Sequence, residues 1–456
     1  MADALAAVLA AGRPPGSALG RERVPLADAV GRVIARDVRA PADVPPWPNA
    51  SMDGYAVRAA DVRGATAEQP AMLRVAGVAY AGTTSASMAA DATLAPGTAV
   101  RIATGAPVPT GADAVVRVED THVDPADPAH VLVLLDRDAR EDQQPGGGAA
   151  RRNVRPAGED VRADAVAVPA GTRVTPGVAG LLAAVGAAAV EVARRPRVAI
   201  IATGDELVPL DRAHEAHAGR AVVSANSVTL AALVREAGGE PLDLGIAVDT
   251  SEAVRALFVR ARDLACDAIL TSAGVSVGER DHVRPAALAA GGTLHFWRVR
   301  MRPGGPLAFG TLPGRDGRPV PWLGLPGNPV STVVTFALFA RPLLAALQGD
   351  AHPFPAPLPA VLDEPVRTAA PLTHLLRATL AAGDDGQLHA RLTGPQGSGL
   401  LSSVARAQAY VVVPESAREL LAGARVWALP AGAWASAAAA LPAGIWDTLP
   451  NGSGAP

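Results

Sequence analysis

The chain has 456 residues, 49% of them hydrophobic and 19% charged, a composition that sustains packed cores and excludes disorder along most of its length. Its length exceeds the roughly 250 to 300 residues at which a single core stops growing, so two to four domains are expected. A formal net charge of -3 offers no basic field for non-specific nucleic-acid binding, which excludes DNA and RNA as expected partners.

Apolar residues recur at helical spacing in ADALAAVLAA and again in LADAVGRVIARDV, predicting two helices before about Arg39. Asp3 precedes the first apolar stretch and no basic n-region accompanies it, so no signal peptide is expected. Apolar runs elsewhere are broken by Arg, Gly or Pro before the roughly 20 residues of a membrane span, and a cytoplasmic protein without a membrane partner is expected. Pro45, Pro46 and Pro48 forbid a helix through APADVPPWPNASMDGYAV, which reads as a stiffened loop. Short strand-like runs between about Val57 and Leu135 predict a small β domain. The polar, glycine-rich REDQQPGGGAARR predicts an exposed loop, and AVAVPAGTRVTPGVAGLLAAVGAAAV a turn followed by an amphipathic helix.

From Pro196 to Gln348 strand-like and helix-like segments alternate, the pattern of a parallel sheet covered on both faces. The stretch from about Pro353 to Pro430 returns to short β-like runs, and the terminal NGSGAP is expected to fray. The lone Cys266, in DLACDAILTS, excludes an internal disulfide and reads as a buried structural thiol. No Cys or Cys/His cluster suggests zinc. All 41 basic residues are arginine, so arginine in place of lysine carries a compositional component.

Three polar motifs each follow directly on a predicted strand: TGDEL (Thr203 to Leu207), TSAGVSVGERD (Thr271 to Asp281) and LPGNPVS (Leu325 to Ser331). Ligands of open parallel sheets bind beyond the carboxyl ends of the strands, so these loops predict a crevice. Asn328 at an N-cap with Pro329 in the first turn predicts a helix start whose N–H groups favour an anion, with Ser331 adding a hydroxyl; an ordinary turn is the competing reading. Gly274 and Gly278 permit close backbone approach. Asp205, Glu206 and Asp281 place negative charge in a phosphate crevice, a conflict that Mg²⁺ resolves because carboxylates and substrate phosphates are its usual ligands. Asp249, near the end of PLDLGIAV, is a further candidate, with capping or solvation as the alternative for each acid. SMDGYAVR places Asp53 in the stiffened loop, where a structural Asx-turn and a catalytic role are equally open. RIATGAPVPTGADAVV places Thr104 beside a Gly-Ala-Pro turn.

Read together, PLADAVGRVIARDV, SMDGYAVR, RIATGAPVPTGADAVV, NVRPAGEDV, IATGDELV, GVSVGERD, FWRVRMRPG, LPGNPVS and GSGLLSSVARA resemble, in order and over nearly the whole chain, the MoeA (gephyrin E-domain) family of molybdopterin molybdenumtransferases. The resemblance implies an α/β multidomain fold and a homodimer. Its parts would be a linking domain over 23–49 and 150–176, a β-rich domain over 50–149, a MogA-like α/β domain with a parallel-rich sheet over 1–22 and 177–350, and a C-terminal β-barrel-like domain over 353–440. It implies Mg²⁺-dependent cleavage of adenylylated molybdopterin with insertion of molybdate and release of AMP. The partner classes implied are a MogA-type adenylyltransferase and molybdoenzyme maturation proteins.

Carried over by position, the family's acids correspond to Asp53, Glu206, Asp249 and Asp281, its threonine to Thr104, and its oxyanion pocket to Arg302, Pro306, Ser331, Arg377, Ser402 and Ser403. The candidate metal set is Asp205, Glu206, Asp249 and Asp281. Gly274, Ser276, Gly278, Gly327 and Asn328 join the cofactor-binding set from the strand-end loops. The family's KPGKP stands here as Arg302-Pro303-Gly304-Gly305-Pro306, so Gly305 removes an expected cation unless Arg298 or Arg300 supplies one, and Arg298 is added to the set on that ground. Ala273 replaces a family glycine. Two rivals are weighed beside the enzyme: a non-catalytic relative that binds, delivers or scaffolds finished cofactor, and a MogA-like adenylyltransferase.

Overall fold

The computed structural model describes residues 1–12, 19–82, 93–137, 153–275, 281–368, 371–432, 437–438, 441 and 445–446. Two compact units result: Met1–Arg36 with Ala170–Pro176 and Ala189–Pro456, and Asp37–Pro169 with Gly177–Ala188. REDQQPGGGAARR and NGSGAP fall outside the described residues.

The smaller unit is organised by a six-stranded sheet in the order Ala114–Arg117, Gly54–Val57, Thr98–Ile102, Ala71–Ala79, His130–Val133 and Thr121–His122. Tyr55, Val57, Leu73, Ala99, Val116 and Val131 form one of its apolar cores, so the predicted small β domain is present. The antiparallel register sets Gly54 opposite Ile102. That pairing brings the residue before one strand, Asp53, next to the segment after the other, Thr104.

In the larger unit the first predicted helix forms at Ala2–Gly12, but the second does not: LADAVGRVIARDV starts as a three-residue 3₁₀ turn at Leu26–Asp28 and continues as turn, isolated bridges and bends. Its Val33 and Ile34 are buried by bridging Arg173 and Val192. Long-range pairing outweighs the helical periodicity there, and the same alternation serves an extended chain with both faces covered.

Six strands build the central sheet: β1 (Arg197–Thr203), β2 (Glu240–Ala247), β3 (Ala268–Ser272), β4 (Thr293–Trp297), β5 (Ala308–Pro313) and β6 (Pro319–Leu325), in the order β2-β1-β3-β6-β5-β4. The first four run parallel, whereas β5 and β4 add an antiparallel edge. The sheet is therefore parallel-rich, as expected, with a mixed edge where β5 and β6 close a hairpin over 314–318 instead of crossing over through a helix. Helices α1 (Ala225–Glu236), α2 (Ser251–Asp263), α3 (Val283–Ala289) and α4 (Pro329–Leu347) complete the layers.

α4 is long and apolar enough by composition to cross a membrane, yet it is buried throughout. Its Phe336, Phe339, Leu343 and Leu344 are wholly inaccessible, and each such side chain contributes about 1.5–3 kcal/mol by burial. Cys266 is buried as well, and desolvation pushes its thiol up to about 11, so it is inert at neutral pH.

Beyond α4, β7 (Leu358–Leu362), β8 (Thr373–Ala382), β9 (Leu388–Leu392), β10 (Ala409–Val413) and β11 (Arg425–Pro430) pair in the order β8-β9-β7-β11-β10, and β10 pairs back to β8. The ring is closed, the barrel-like arrangement that the resemblance implies. Its interior is aliphatic, with Ala378, Val411, Val413, Val426 and Ala428 fully buried.

Candidate functional site

In the central sheet β1 is flanked by β2 on one side and β3 on the other, so the chain reverses direction of winding between β1 and β3. The loops leaving such a point diverge and leave a crevice at the carboxyl ends of the strands. A cavity of about 570 Å³ opens there, walled by Thr203 and Glu206 after β1, Ser272 to Val275 and Asp281 after β3, Pro326 to Pro329 and Ser331 after β6, Ser224 to Asn226 at the start of α1, and Pro306. Of the sequence-predicted residues it gathers Glu206, Gly274, Asp281, Pro306, Gly327, Asn328 and Ser331.

Glu206 owes its place to Gly204, whose φ is +146°; a Cβ there would stand 2.8 Å from the Glu206 carboxylate oxygens. The carboxylate thus folds back over bare backbone. On the facing loop, Ala273 (φ +77°) and Gly274 (φ +69°) both adopt the left-handed region. Glycine accepts that geometry freely, but at Ala273, where the family has glycine, it is strained.

The helix start after β6 differs from expectation in two ways. Asn328 occupies the N-cap with Pro329 in the first turn, but its side chain makes no capping hydrogen bond. The Val330 N–H is already donated to the Ser398 carbonyl at 3.0 Å, so the anion cradle has fewer free donors than a bare helix end. Ser331 is buried apart from its place on the cavity wall.

Asp205 and Asp249 do not join Glu206 and Asp281 on that wall. They pair reciprocally: the Asp249 N–H donates to Asp205 Oδ1 at 3.0 Å and the Asp205 N–H to Asp249 Oδ2 at 3.4 Å. Asp205 lines a neighbouring cavity of about 470 Å³ that shares Leu207 and Ser224 with the first. Among the described residues no three acidic, His or Cys side chains gather as a ready metal cage; of the four carboxylates expected to hold a metal, Glu206 and Asp281 line this cavity. Backbone N–H groups claim the other two, as they commonly claim Asp at strand ends.

The cation-bearing candidates fall into distinct settings. Arg377, on β8, is completely buried; its Nε donates to the Ser403 hydroxyl at 3.1 Å and one terminal nitrogen to the Gly397 carbonyl at 3.0 Å. The other terminal nitrogen is buried without a partner, and desolvation holds the guanidinium below its ordinary pKa. Ser403 is buried beside it while Ser402 is exposed. Arg302 is exposed on a two-residue strand paired with β8. Arg300 is ion-paired with Glu415, and the Arg298 guanidinium lies 4.6 Å from the centre of the Trp297 ring; neither is on the described wall of the cavity. Ser276 and Gly278 lie outside the described residues.

In the smaller unit, Asp53 Oδ1 accepts the Thr104 N–H at 2.6 Å and the Thr104 hydroxyl at 2.8 Å. These bonds, helped by Arg101, hold the carboxyl below the usual carboxylate range. The contact spans 51 residues, so Asp53 is not serving a local Asx-turn.

Asn226 was not among the sequence candidates. Its amide nitrogen donates to Ser272 Oγ and to the Gly327 carbonyl, both at 2.8 Å, tying the ends of β3 and β6 together at the cavity wall. The only sequence signal was a polar SAN at the start of a predicted helix.

Three family models match this chain: the MoeA N-terminal region, domains I and II, over residues 1–186, a probable molybdopterin-binding domain over 199–346, and the MoeA C-terminal region, domain IV, over 359–430. A molybdopterin molybdenumtransferase of Mycobacterium tuberculosis is 37% identical over 418 residues, covering 89% of this chain and 94% of its own length. This chain belongs to the MoeA family. A MoeA relative from Bacillus subtilis, also named molybdopterin molybdenumtransferase, is 33% identical over 90% of this chain and 89% of its own length. The solved MoeA structure from Pyrococcus horikoshii superimposes with a TM-score of 0.74 at 27% identity, covering 94% of this chain and 98% of that one.

Proposed function

We propose that this MoeA chain inserts molybdenum into molybdopterin, cleaving adenylylated molybdopterin and releasing AMP. The observation that carries the reading is the placement of Glu206 and Asp281, from loops after neighbouring parallel strands, on one cavity whose far wall is the helix start Asn328–Ser331. Cleavage breaks the P–O–P bridge with addition of one water. Insertion joins both dithiolene sulfurs to molybdenum, while two thiol protons and one molybdate oxygen leave as water.

Two carboxylates on the wall of one cavity fit Mg²⁺, which uses one or two protein carboxylates and takes the rest of its ligands from phosphate and water. Glu206 and Asp281 would hold it, and bound there it would offset charge on the phosphoryl oxygens. Ser331 and the remaining N–H groups of the α4 start orient the phosphates. Within the smaller unit, Thr104 fixes the Asp53 carboxylate as an acceptor. The unpartnered terminal nitrogen of Arg377 supplies a charge-assisted donor suited to a small oxyanion.

The family resemblance supports a homodimer that receives substrate from a MogA-type adenylyltransferase and hands product to molybdoenzyme maturation proteins, and the four-domain division given above. The same resemblance supports the cytoplasm as its place. A delivery or scaffold role is the second reading, favoured by Gly305 and by the absence of arginine from the described cavity wall. Turnover of purified adenylylated molybdopterin, with molybdate and Mg²⁺ varied, separates the two: the enzyme releases AMP in proportion to molybdenum incorporated, and the delivery protein binds finished cofactor without releasing any.

A further inference from the structure

We propose that Trp297 is a positioning residue that clasps both stems of the loop carrying Asp281; the inference rests on the reading of the cavity as the site of phosphoanhydride cleavage. Trp297 ends β4, at the antiparallel edge of the sheet, and is half-buried. Its indole N–H donates to the carbonyl of Val275 at 2.7 Å, on the stem that leaves β3. The Arg284 guanidinium lies 3.7 Å from the centre of the same ring, on the stem that enters α3 three residues after Asp281. A single aromatic side chain therefore holds the loop at its two ends, by a hydrogen bond on one side and a cation–π contact on the other.

The strain at Ala273 explains why a clasp is needed. A non-glycine residue in the left-handed region persists only where its surroundings over-determine the backbone. Ala273 is followed by Gly274, also left-handed, and both lie on the cavity wall. The ties on this stem are the Ala273 N–H to the Leu325 carbonyl at 3.0 Å, the Val283 N–H to the Gly274 carbonyl at 3.3 Å, and the indole. Of these three the indole is the side-chain one, in addition to the Asn226 amide on Ser272, and it comes from a strand that is not on the described cavity wall.

Trp297→Phe keeps the ring for Arg284 and removes the N–H, leaving the Val275 carbonyl unpaired. Amide exchange at residues 271–275 should accelerate about fivefold or more. KM for adenylylated molybdopterin should rise about tenfold, with kcat within about twofold, because the displaced wall binds substrate and transition state alike. Trp297→Leu releases the Asp281 stem too, and kcat should then fall about tenfold as well. A Phe variant with unchanged KM overturns the inference, whether or not exchange responds, since a tie felt only in exchange is structural. If the wild-type chain releases no AMP, the cleavage reading falls while the exchange comparison still decides whether the clasp exists.

Discussion

Within the larger unit, Glu206 and Asp281 face an open cavity of about 570 Å³, whereas Arg377 is wholly buried with carbonyls and a hydroxyl as its partners. The two regions meet the cost of placing charge by different routes. Carboxylates at an open cavity keep their hydration until a ligand arrives, so they are inexpensive to hold and require a cation only once phosphates enter. A buried guanidinium has already lost its hydration, and one of its terminal nitrogens lacks an acceptor. A small anion relieves that cost directly. On the function proposed above, phosphoanhydride chemistry falls to the first region and oxyanion capture to the second.

The largest expected effect separates the regions on the phosphate side. Asp281→Ala should fold normally and lower AMP release by about 100-fold or more, the scale of losing one electrostatic stabiliser, and turnover near the wild-type rate would remove the phosphate role from the first region; Asp53→Ala, a variant of the smaller unit, should lower AMP release by about the same factor. Arg377→Met, which preserves volume, should raise the molybdate concentration for half-maximal turnover about tenfold, roughly one charge-assisted contact. Equal losses of AMP release at all molybdate levels would break the division. Gly305→Lys should lower that concentration about two- to fivefold, within the range of a partly exposed charge. A Cβ at Gly305 would stand 3.1 Å from the Met301 carbonyl oxygen, so a side chain fits after a small shift. No tightening would mean that a cation outside the cavity wall already serves molybdate.

The smallest effect is a control on the barrel, remote in sequence from the strand-end loops. His389 Nδ1 contacts Asp363 at 2.7 Å and Nε2 contacts Asp385 at 3.1 Å, which raises its pKa above the ordinary 6.5. A raised folded-state value means the stabilisation is complete below about pH 6.5 and is lost as pH rises through that higher value. Thermal melts of His389→Gln should lack this component of pH dependence, with AMP release unchanged.

Much of the site was legible before the fold because strand-end loops announce themselves: TGDEL, TSAGVSVGERD and LPGNPVS each begin where an apolar run stops, and all three reach one cavity. What escaped depended on partners distant in sequence. Asn226 ties Ser272 to Gly327 across 46 and 101 positions, and nothing local distinguishes it from any polar residue in a first helical turn. The reciprocal pairing of Asp205 with Asp249 was not legible either, because composition shows charge but not which backbone N–H groups it meets. The segment LADAVGRVIARDV carried helical periodicity, yet its buried Val33 and Ile34 are satisfied by bridges to Arg173 and Val192, contacts that no window on the sequence contains.

The central claim is that the phosphoanhydride is cleaved between Glu206 and Asp281. A crystal structure of the chain with adenylylated molybdopterin, prepared without molybdate to retain the substrate, tests it directly. The account predicts the two bridging phosphates within the cavity walled by Glu206, Asp281 and Asn328–Ser331. Phosphates bound away from both carboxylates, with the cavity empty, would contradict it.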